Sequence, residues 1–150
     1  MLHVYEFEVF EGEGGAMLAF PFDFEGGTQG DDVRDVAESA ADWLQCEMEQ
    51  RAMHDLPIPE ATFGNEPRHE GGRTLIVAVN AGKDTVPRMT AAAAATELGV
   101  TRGRVSQMVK AGQLESFEHE GRTWVTRASV EARKAESPRA GRPKKAVATA

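Results

Sequence analysis

Alternating apolar and polar positions in the N-terminal part of the chain predict a small antiparallel sheet. Residues 2–10 alternate over most of their length, and residues 16–22 form a second apolar stretch. The glycines of residues 11–15 supply the positive φ that a hairpin turn between these strands needs. A short third strand is predicted at Thr28 and Gln29.

A long amphipathic helix is predicted after these strands. Asp31 and Asp32 offer an N-cap and acidic side chains for the first helical turn, where they interact favourably with the helix dipole. Apolar residues then recur at spacings of three and four, at Val33, Val36, Ala37, Ala40, Trp43, Leu44 and Met48. Pro57 and Pro59 exclude a continuation of the helix. Residues 74–79 are rich in β-branched side chains and predict a buried strand, which gives the element order ββ(β)αβ.

A different pattern follows in residues 90–136, where two short helices are predicted around a tight turn. Thr90 is the expected N-cap of a helix through the alanine run 91–95. Gly99 is the expected left-handed residue at the end of that helix, and Thr101 is the N-cap of the next one. The second helix and the segment after it turn four apolar side chains inward: Val105, Met108, Val109 and Leu114.

A β-hairpin is predicted after the second of these helices. Residues 114–119 and 122–126 are the expected strands, and the Glu-Gly pair 120–121 is the turn between them. Arg122 lies near the tip of this hairpin, where a cation can contact a phosphate. A closing helix is predicted over about 130–136.

The second of the two short helices leaves its polar side chains on one face. These are Arg102, Gly103, Ser106, Gln107 and Lys110, with Arg104 at the margin. A helix-turn-helix requires this division, because the outward residues of its second helix enter the major groove of DNA. The alternative that remains open is a helical hairpin used for dimerisation.

The formal net charge of −7 is distributed unevenly along the chain. Residues 1–87 hold 18 acidic against 5 basic side chains, a balance of −13. Residues 88–150 hold 6 acidic against 12 basic side chains, a balance of +6. This reversal predicts two modules with different kinds of partner.

Several classes of function are not supported by the composition. No apolar run approaches the roughly 18 to 20 residues that span a bilayer, and we expect a cytoplasmic protein with no membrane partner. Cys46 is the single cysteine and the four histidines are scattered, so neither a metal nor a cofactor is predicted. Four aspartates, Asp23, Asp31, Asp32 and Asp35, are better explained by loop solvation and helix capping than by metal binding. No catalytic constellation can be assembled, and we expect no enzyme.

Residues 90–136 resemble the winged helix-turn-helix of excisionase-type and MerR-like DNA-binding domains. The matching features are LGVTRGRV, the KAGQL step after the second helix, EGR in the hairpin and the following ASV. The resemblance implies that the second helix docks in the major groove and that the hairpin contacts the DNA backbone. It implies base contacts from Thr101, Arg102, Ser106 and Gln107, and phosphate contacts from Arg104, Lys110 and Arg122.

The C-terminal residues 137–150 are predicted to form a disordered basic tail. Their sequence AGRPKK resembles an AT-hook, whose extended Gly-Arg-Pro core enters a narrow A·T minor groove. The resemblance implies minor-groove contacts from Arg139, Gly141, Arg142, Pro143, Lys144 and Lys145. The alternative is a tail that strengthens DNA binding through its charge alone.

Residues 1 to about 62 resemble the N-terminal domain of HicB-family antitoxins. The features that carry the resemblance are Tyr5, Gly14 and Gly15, Phe20-Pro21, Gly26, TQGDD, Val36-Ala37 and Pro57-Ile58-Pro59. The family implies a partial RNase H-like fold that binds a small basic mRNA-cleaving toxin of the HicA type. It also implies a DNA-binding domain that represses the antitoxin's own operon. No local motif defines the toxin-binding residues, which stay unknown at this point.

Together these observations predict an α+β protein with an acidic domain at 1–80, a linker at 81–89, a winged helix-turn-helix at 90–136 and a basic tail at 137–150. The predicted function is that of a type II antitoxin that neutralises its toxin and binds operator DNA as a homodimer or a higher even oligomer. The alternative is a ligand-sensing helix-turn-helix regulator without a toxin partner.

Overall fold

The computed structural model describes residues 1–141, with side chains described through residue 136. The chain divides into two compact units between Thr85 and Val86. Over the described residues it is an α+β protein that contains two antiparallel sheets and four α-helices. The α+β class predicted from the hydrophobic pattern is therefore confirmed.

The first unit is a four-stranded antiparallel sheet with one long helix. Its elements are β1 (Leu2–Glu11), β2 (Met17–Pro21), β3 (Thr28–Gly30), α1 (Val33–Met53) and β4 (Arg73–Asn80). The strands lie in the order β3-β2-β1-β4, so that β1 is central and pairs with β2 and β4. This is the ββ(β)αβ order that the sequence predicts.

Helix α1 packs one apolar stripe against the sheet. Asp32 is its N-cap, and the Asp32 carboxylate accepts a hydrogen bond of 2.8 Å from the Asp35 backbone N–H. The stripe and the inward side chains of the sheet form the first core, which contains Tyr5, Phe7, Val9, Ala19, Val36, Ala40, Leu44, Met48, Val77, Val79 and Ala81. Val33 was expected in the stripe, but it lies in the first turn and is 49% exposed.

Strand β4 differs from the buried strand that its sequence predicts. It lies at the edge of the sheet, and only alternate side chains such as Val77 and Val79 face the core. Ile76 points to the other face and is 60% exposed. The β-branched run is thus an edge strand, and only the face toward α1 is covered.

Two buried glutamates on β1 hold the long loop between α1 and β4. The Glu6 carboxylate accepts hydrogen bonds from the backbone N–H of Gly64 at 3.3 Å and of Asn65 at 2.8 Å, and another from the Asn65 side-chain amide at 2.9 Å. Glu8 accepts hydrogen bonds from the backbone N–H of Arg68 at 2.9 Å and of His69 at 2.7 Å. The loop therefore satisfies the carboxylates that strand β1 carries on the face away from α1.

The pKa of Glu6 reflects this arrangement. The backbone and side-chain donors of Asn65 lower the pKa of the carboxyl from its ordinary value of 4.5, because they stabilise the charged form. Burial opposes this effect and the Gly64 N–H adds to it. The ionised form of the Glu6 carboxyl is therefore the one that accepts the hydrogen bonds from the loop.

The second unit combines three helices with a small antiparallel sheet. Its elements are β5 (Arg88–Met89), α2 (Ala91–Leu98), α3 (Arg102–Lys110), β6 (Ser116–His119), β7 (Arg122–Thr126) and α4 (Arg127–Gly141). The strands lie in the order β5-β7-β6. A second core contains Met89, Ala94, Ala95, Val105, Met108, Leu114, Val125 and Val130.

The segment between the two predicted domains takes part in both cores. Ala81 is buried in the first core, and its backbone N–H donates a hydrogen bond of 3.0 Å to the Met1 carbonyl. Met89 is buried in the second core and pairs with Val125 of β7. Residues 81–89, expected as a linker, thus span the division between the two units.

Local capping marks the ends of helices α2 and α3 at the turn between them. The Thr90 hydroxyl accepts a hydrogen bond of 3.1 Å from the Ala93 N–H, and the Thr101 hydroxyl accepts one of 3.1 Å from the Arg104 N–H. Gly99 has the left-handed φ of 68° at the end of α2. These three positions behave as the sequence predicts, because each cap is fixed by its immediate neighbours.

Among the described residues, no helix has both the length and the apolar content needed to cross a membrane.

Gly99→Ala should destabilise the protein by about 1–2 kcal/mol, because an L side chain is unfavourable at its left-handed φ. Gly103→Ala is the matched control: Gly103 is an exposed residue inside α3, where alanine is favoured by about 0.5–1 kcal/mol. Urea unfolding should thus give changes of opposite sign. Equal changes in the free energy of unfolding would contradict the role of Gly99 in the turn.

Glu6→Gln should lower stability at neutral pH. Because folding lowers the pKa of Glu6, its carboxylate contributes stability above the unfolded-state pKa, and this contribution is lost as pH falls through the folded-state pKa. The difference in free energy of unfolding between the wild type and Glu6→Gln should therefore narrow on acidification. Glu60→Gln, an exposed carboxylate of the same loop, is the control. A difference that is independent of pH would rule out the proposed role of the charged form.

Candidate nucleic-acid interface

Helix α3 is placed by the burial of one side against the rest of the second unit. Val105 and Met108 are 1% and 3% exposed and lie in the second core, where the small side chains of Ala94 and Ala95 from α2 are also buried. Alanines at these positions allow the two helices to approach closely. The opposite side of α3 is consequently held at the surface.

The residues predicted to contact DNA from the second helix and the hairpin are all exposed. The exposed set is Thr101, Arg102, Arg104, Ser106, Gln107, Lys110 and Arg122. Helix α3 contains no Asp or Glu. Its outer face is therefore polar and positively charged.

The cations of α3 differ from those of α4 in their ion pairing. Lys134 contacts Glu97 at 3.1 Å, Arg127 contacts Glu131 at 4.0 Å, and Arg133 contacts Glu136 at 3.5 Å. Within the part of the chain whose side chains are described, the cations of α3, Arg102, Arg104 and Lys110, have no carboxylate within 4.0 Å. Unpaired cations on one exposed face favour binding of an anion such as a phosphate.

The N-cap Thr101 and Gln107 of α3 each use part of their side-chain hydrogen-bonding capacity within the helix. The Thr101 hydroxyl accepts the capping hydrogen bond and keeps its own O–H for a donor contact. The Gln107 side-chain carbonyl accepts a hydrogen bond of 3.4 Å from an Arg104 guanidinium N–H. The side-chain NH2 of Gln107 can donate hydrogen bonds, which suits contact with a base edge.

The hairpin β6–β7 has the turn that its sequence predicts. Glu120 and Gly121 have φ of 51° and 74°, and His119 pairs with Arg122 at the end of the strands. A two-residue turn with positive φ at both positions closes a twisted hairpin tightly. It brings Arg122, which is exposed, to the tip of the hairpin.

The sheet of the second unit also carries two residues that sequence reasoning missed, Arg88 of β5 and Trp124 of β7. The guanidinium carbon of Arg122 lies over the Trp124 ring at 4.9 Å from its centre, and that of Arg88 lies over the same ring at 4.7 Å. Arg88 was placed in the linker because a two-residue strand leaves no periodic pattern. Trp124 could have been found, since alternation along β7 puts it on the same side as Arg122.

The basic tail is only partly within the described residues. Helix α4 begins at Arg127, three residues before the expected start, and runs to Gly141, five residues beyond the expected end. Arg139 and Gly141 thus fall on the helical backbone, and their side-chain contacts are not described. Arg142, Pro143, Lys144 and Lys145 lie outside the described residues.

The first unit offers an open groove rather than a constellation of reactive groups. The groove has a volume of about 770 Å³ and is lined by Leu18, Phe20, Pro21, Phe24, Glu25, Gly26, Gly27, Thr28, Gln29 and Arg68. Phe20 is 39% exposed and Arg68 lies 5.2 Å from the centre of the Phe22 ring. The described residues contain no cluster of three or more His, Cys, Asp or Glu side chains that could hold a metal ion.

Comparisons with known proteins give one structural likeness. A chain of the solved structure described as "Toxin-Antitoxin complex from Streptococcus pneumoniae" is similar with a TM-score of 0.49 and 15% sequence identity. The similarity covers 75% of this chain and 99% of that chain. No protein-family model matches the sequence, and no curated protein matches it.

Proposed function

We propose that this protein is the antitoxin of a type II toxin–antitoxin system, which binds operator DNA through its second unit and thereby represses its own operon. The observation that carries the DNA-binding part is the outer face of α3. Arg102, Arg104 and Lys110 are exposed there without carboxylate partners among the described side chains. Such a face in a chain of net charge −7 is suited to a polyanion.

In this proposal the second unit is a winged helix-turn-helix. Helix α2, the turn at Gly99 and helix α3 supply the helical pair, and the hairpin β6–β7 supplies the wing. In this proposal α3 enters the major groove with its N-terminal end near the bases. The wing lies along the backbone and brings Arg122 to a phosphate.

The residues of α3 divide into two roles in this proposal. Arg102, Ser106 and Gln107 contact base edges together with the Thr101 hydroxyl, because their side chains are exposed on the outer face of the helix. Arg104 and Lys110 contact phosphates and position the helix. A homodimer would place two copies of α3 on two half-sites, which gives the specificity that a single short helix lacks.

The toxin-binding part of the proposal assigns a different partner to the first unit. Its residues 1–85 hold 18 acidic and 5 basic side chains, a balance of −13. This charge is complementary to a small basic mRNA-cleaving toxin of the HicA type and favours fast association. The partial RNase H-like fold of the HicB resemblance supplies the scaffold, and the unit acts as an inhibitor rather than as an enzyme.

A second candidate function is supported by the groove of the first unit. Its volume of about 770 Å³ and the exposed ring of Phe20 could accommodate a small molecule. The protein would then be a ligand-sensing helix-turn-helix regulator without a toxin. A small-molecule sensor does not require the acidic charge balance of the first unit, and we therefore place this function second.

Arg102→Ala should relax sequence preference, with a loss of about 1–3 kcal/mol on the operator and little loss on scrambled DNA. Lys110→Ala should weaken binding to all duplexes similarly and reduce the salt slope of log K by about 0.9, the value for one phosphate contact. Fluorescence anisotropy on the DNA upstream of the gene, at several salt concentrations, measures both effects. Lys134→Ala is the control, because this exposed cation pairs with Glu97 on the helix surface. Equal losses from Arg102→Ala on operator and scrambled DNA would remove its base-contacting role.

The toxin proposal is tested with the short basic protein encoded by a reading frame beside this gene. We expect the full-length chain to inhibit RNA cleavage by that protein, with an association rate that falls as salt is raised. Lys110→Ala should leave this inhibition unchanged, because its effect is confined to DNA. No binding to the neighbouring protein, together with thermal stabilisation by a small metabolite, would favour the ligand-sensing regulator instead.

A further inference from the structure

Strand β4 is a long edge strand with an open outer edge. It contains eight residues and pairs with β1 along its whole length, and no strand lies beyond it in the described part of the chain. Proteins protect such edges by keeping the strand short or by placing prolines and charged side chains along it. The other edge strand of this sheet, β3, has only three residues. Residues 74–79 of β4 contain neither a charge nor a proline, so this edge is unprotected.

The ladder with β1 shows which backbone groups of β4 face the open edge. In an antiparallel pair, alternate residues bond to the neighbouring strand, and the residues between them point their N–H and C=O groups the other way. The Ala81 N–H donates to the Met1 carbonyl at 3.0 Å, so the odd-numbered residues of β4 bond to β1. The Glu6 carbonyl instead accepts a hydrogen bond of 3.1 Å from the Phe22 N–H, on the β2 side, so its partner Ile76 points away from β1. The groups that face the open edge are those of Thr74, Ile76, Ala78 and Asn80.

The side chains along this edge suit contact with another apolar strand. On the face of the sheet away from α1, Ile76 is 60% exposed and Ala78 is also exposed. On the opposite face, Val77 and Val79 are buried in the first core. A strand added at this edge contacts Ile76 and Ala78 with its side chains, while its backbone satisfies the open N–H and C=O groups.

The distribution of charge selects a second copy of this chain as the added strand. Residues 1–85 hold 18 acidic side chains, yet residues 73–83 hold none and contain two basic ones, Arg73 and Lys83. A basic toxin is attracted to carboxylates, which this segment does not offer. Two units with a balance of −13 repel each other where their carboxylates approach, so a segment without acids is where two copies can meet.

Strand β4 can pair with its own copy around a two-fold axis. When Val77 lies opposite Val77 of the second copy, Ile76 lies opposite Ala78 and Thr74 lies opposite Asn80. This register pairs all four residues of each copy that face the open edge. It also places Arg73 opposite an alanine, Ala81, so that no like charges lie directly opposite each other.

We propose that β4 pairs antiparallel with β4 of a second copy in this register, so that two four-stranded sheets become one continuous sheet. The contact is the same on both copies, as a two-fold axis requires. The pairing rests on the homodimer of the proposed function and assigns to it a surface in the first unit. None of the residues proposed to contact DNA belongs to this surface.

The first test measures the mass of the full-length protein by sedimentation equilibrium. The wild type should be a dimer of about twice 16.3 kDa. Ala78→Pro removes an N–H that faces the open edge and leaves the ladder with β1 intact, since proline is tolerated at such positions of an edge strand. Each dimer then loses two hydrogen bonds, one from each copy, and its dissociation constant should rise about tenfold or more.

A second variant and a matched control accompany this measurement. Ile76→Lys places a charge opposite the apolar Ala78 of the second copy and should also raise the dissociation constant, which keeps the proposal testable if Ala78→Pro does not fold. Gln29→Lys is the control, because Gln29 is an exposed residue of the other edge strand and gains the same charge. It should dimerise like the wild type. Thermal unfolding verifies that each variant is folded.

The register is tested by disulfide formation in a Cys46→Ser background, which removes an exposed thiol. Ile76→Cys protein mixed with Ala78→Cys protein should form a disulfide-linked dimer on oxidation. The Cα atoms of a hydrogen-bonded pair are about 5.5 Å apart, a distance that a disulfide spans. Either variant alone should link several-fold less, because its two cysteines then lie diagonally, about 7–8 Å apart. Non-reducing electrophoresis measures the linked fraction.

The outcomes separate this surface from the proposed function. A wild-type protein that is monomeric at every concentration would overturn the pairing and the homodimer together. A dimer that neither Ala78→Pro nor Ile76→Lys weakens would overturn the β4 surface and leave the homodimer on another surface. Unchanged dimerisation of Ile76→Lys with loss of toxin inhibition would overturn the second copy as the occupant and assign the edge to the toxin. Efficient linkage of Ile76→Cys alone would overturn the register.

Discussion

The packing of α3 against the second core is the constraint on which the candidate interface depends. Helix α3 has nine residues, and an isolated helix of this length is marginal in water. Burial of Val105 and Met108 stabilises it, while the Thr101 cap satisfies one of its first backbone N–H groups. These contacts stabilise the helix from one side. Its other side can therefore carry cations that are not needed for folding.

Sequence reasoning succeeded where structure depends on near neighbours. The caps at Thr90 and Thr101 and the left-handed Gly99 follow from a few adjacent residues, and the structure has all three. The outward set of α3 follows from helical periodicity in the same way. The α+β class follows from the periodicity of apolar residues, because they recur every two positions in a strand and every three or four positions in a helix.

The features that sequence reasoning missed depend on residues far apart in the chain. Arg88 joins β5 only because it pairs with Thr126, and neither position contains a local sign of that pairing. Glu6 and Glu8 alternate like exposed strand residues, yet they are buried because a loop some sixty positions later supplies their donors. Ile76 is exposed because it points to the face of the sheet away from α1, and a β-branched run does not reveal that only one face is covered.

The opposite charges of the two units are compatible with DNA binding because electrostatic attraction is local in salt. At physiological ionic strength a charge is screened over about 8 Å, so the balance of −13 in the first unit acts mainly on what touches that unit. In the proposed function, the cations of α3 and the hairpin instead act directly on the phosphates that they contact. In the proposed function, the affinity for a polyanion therefore depends on the exposed cations of α3, Arg102, Arg104 and Lys110, and not on the net charge of −7.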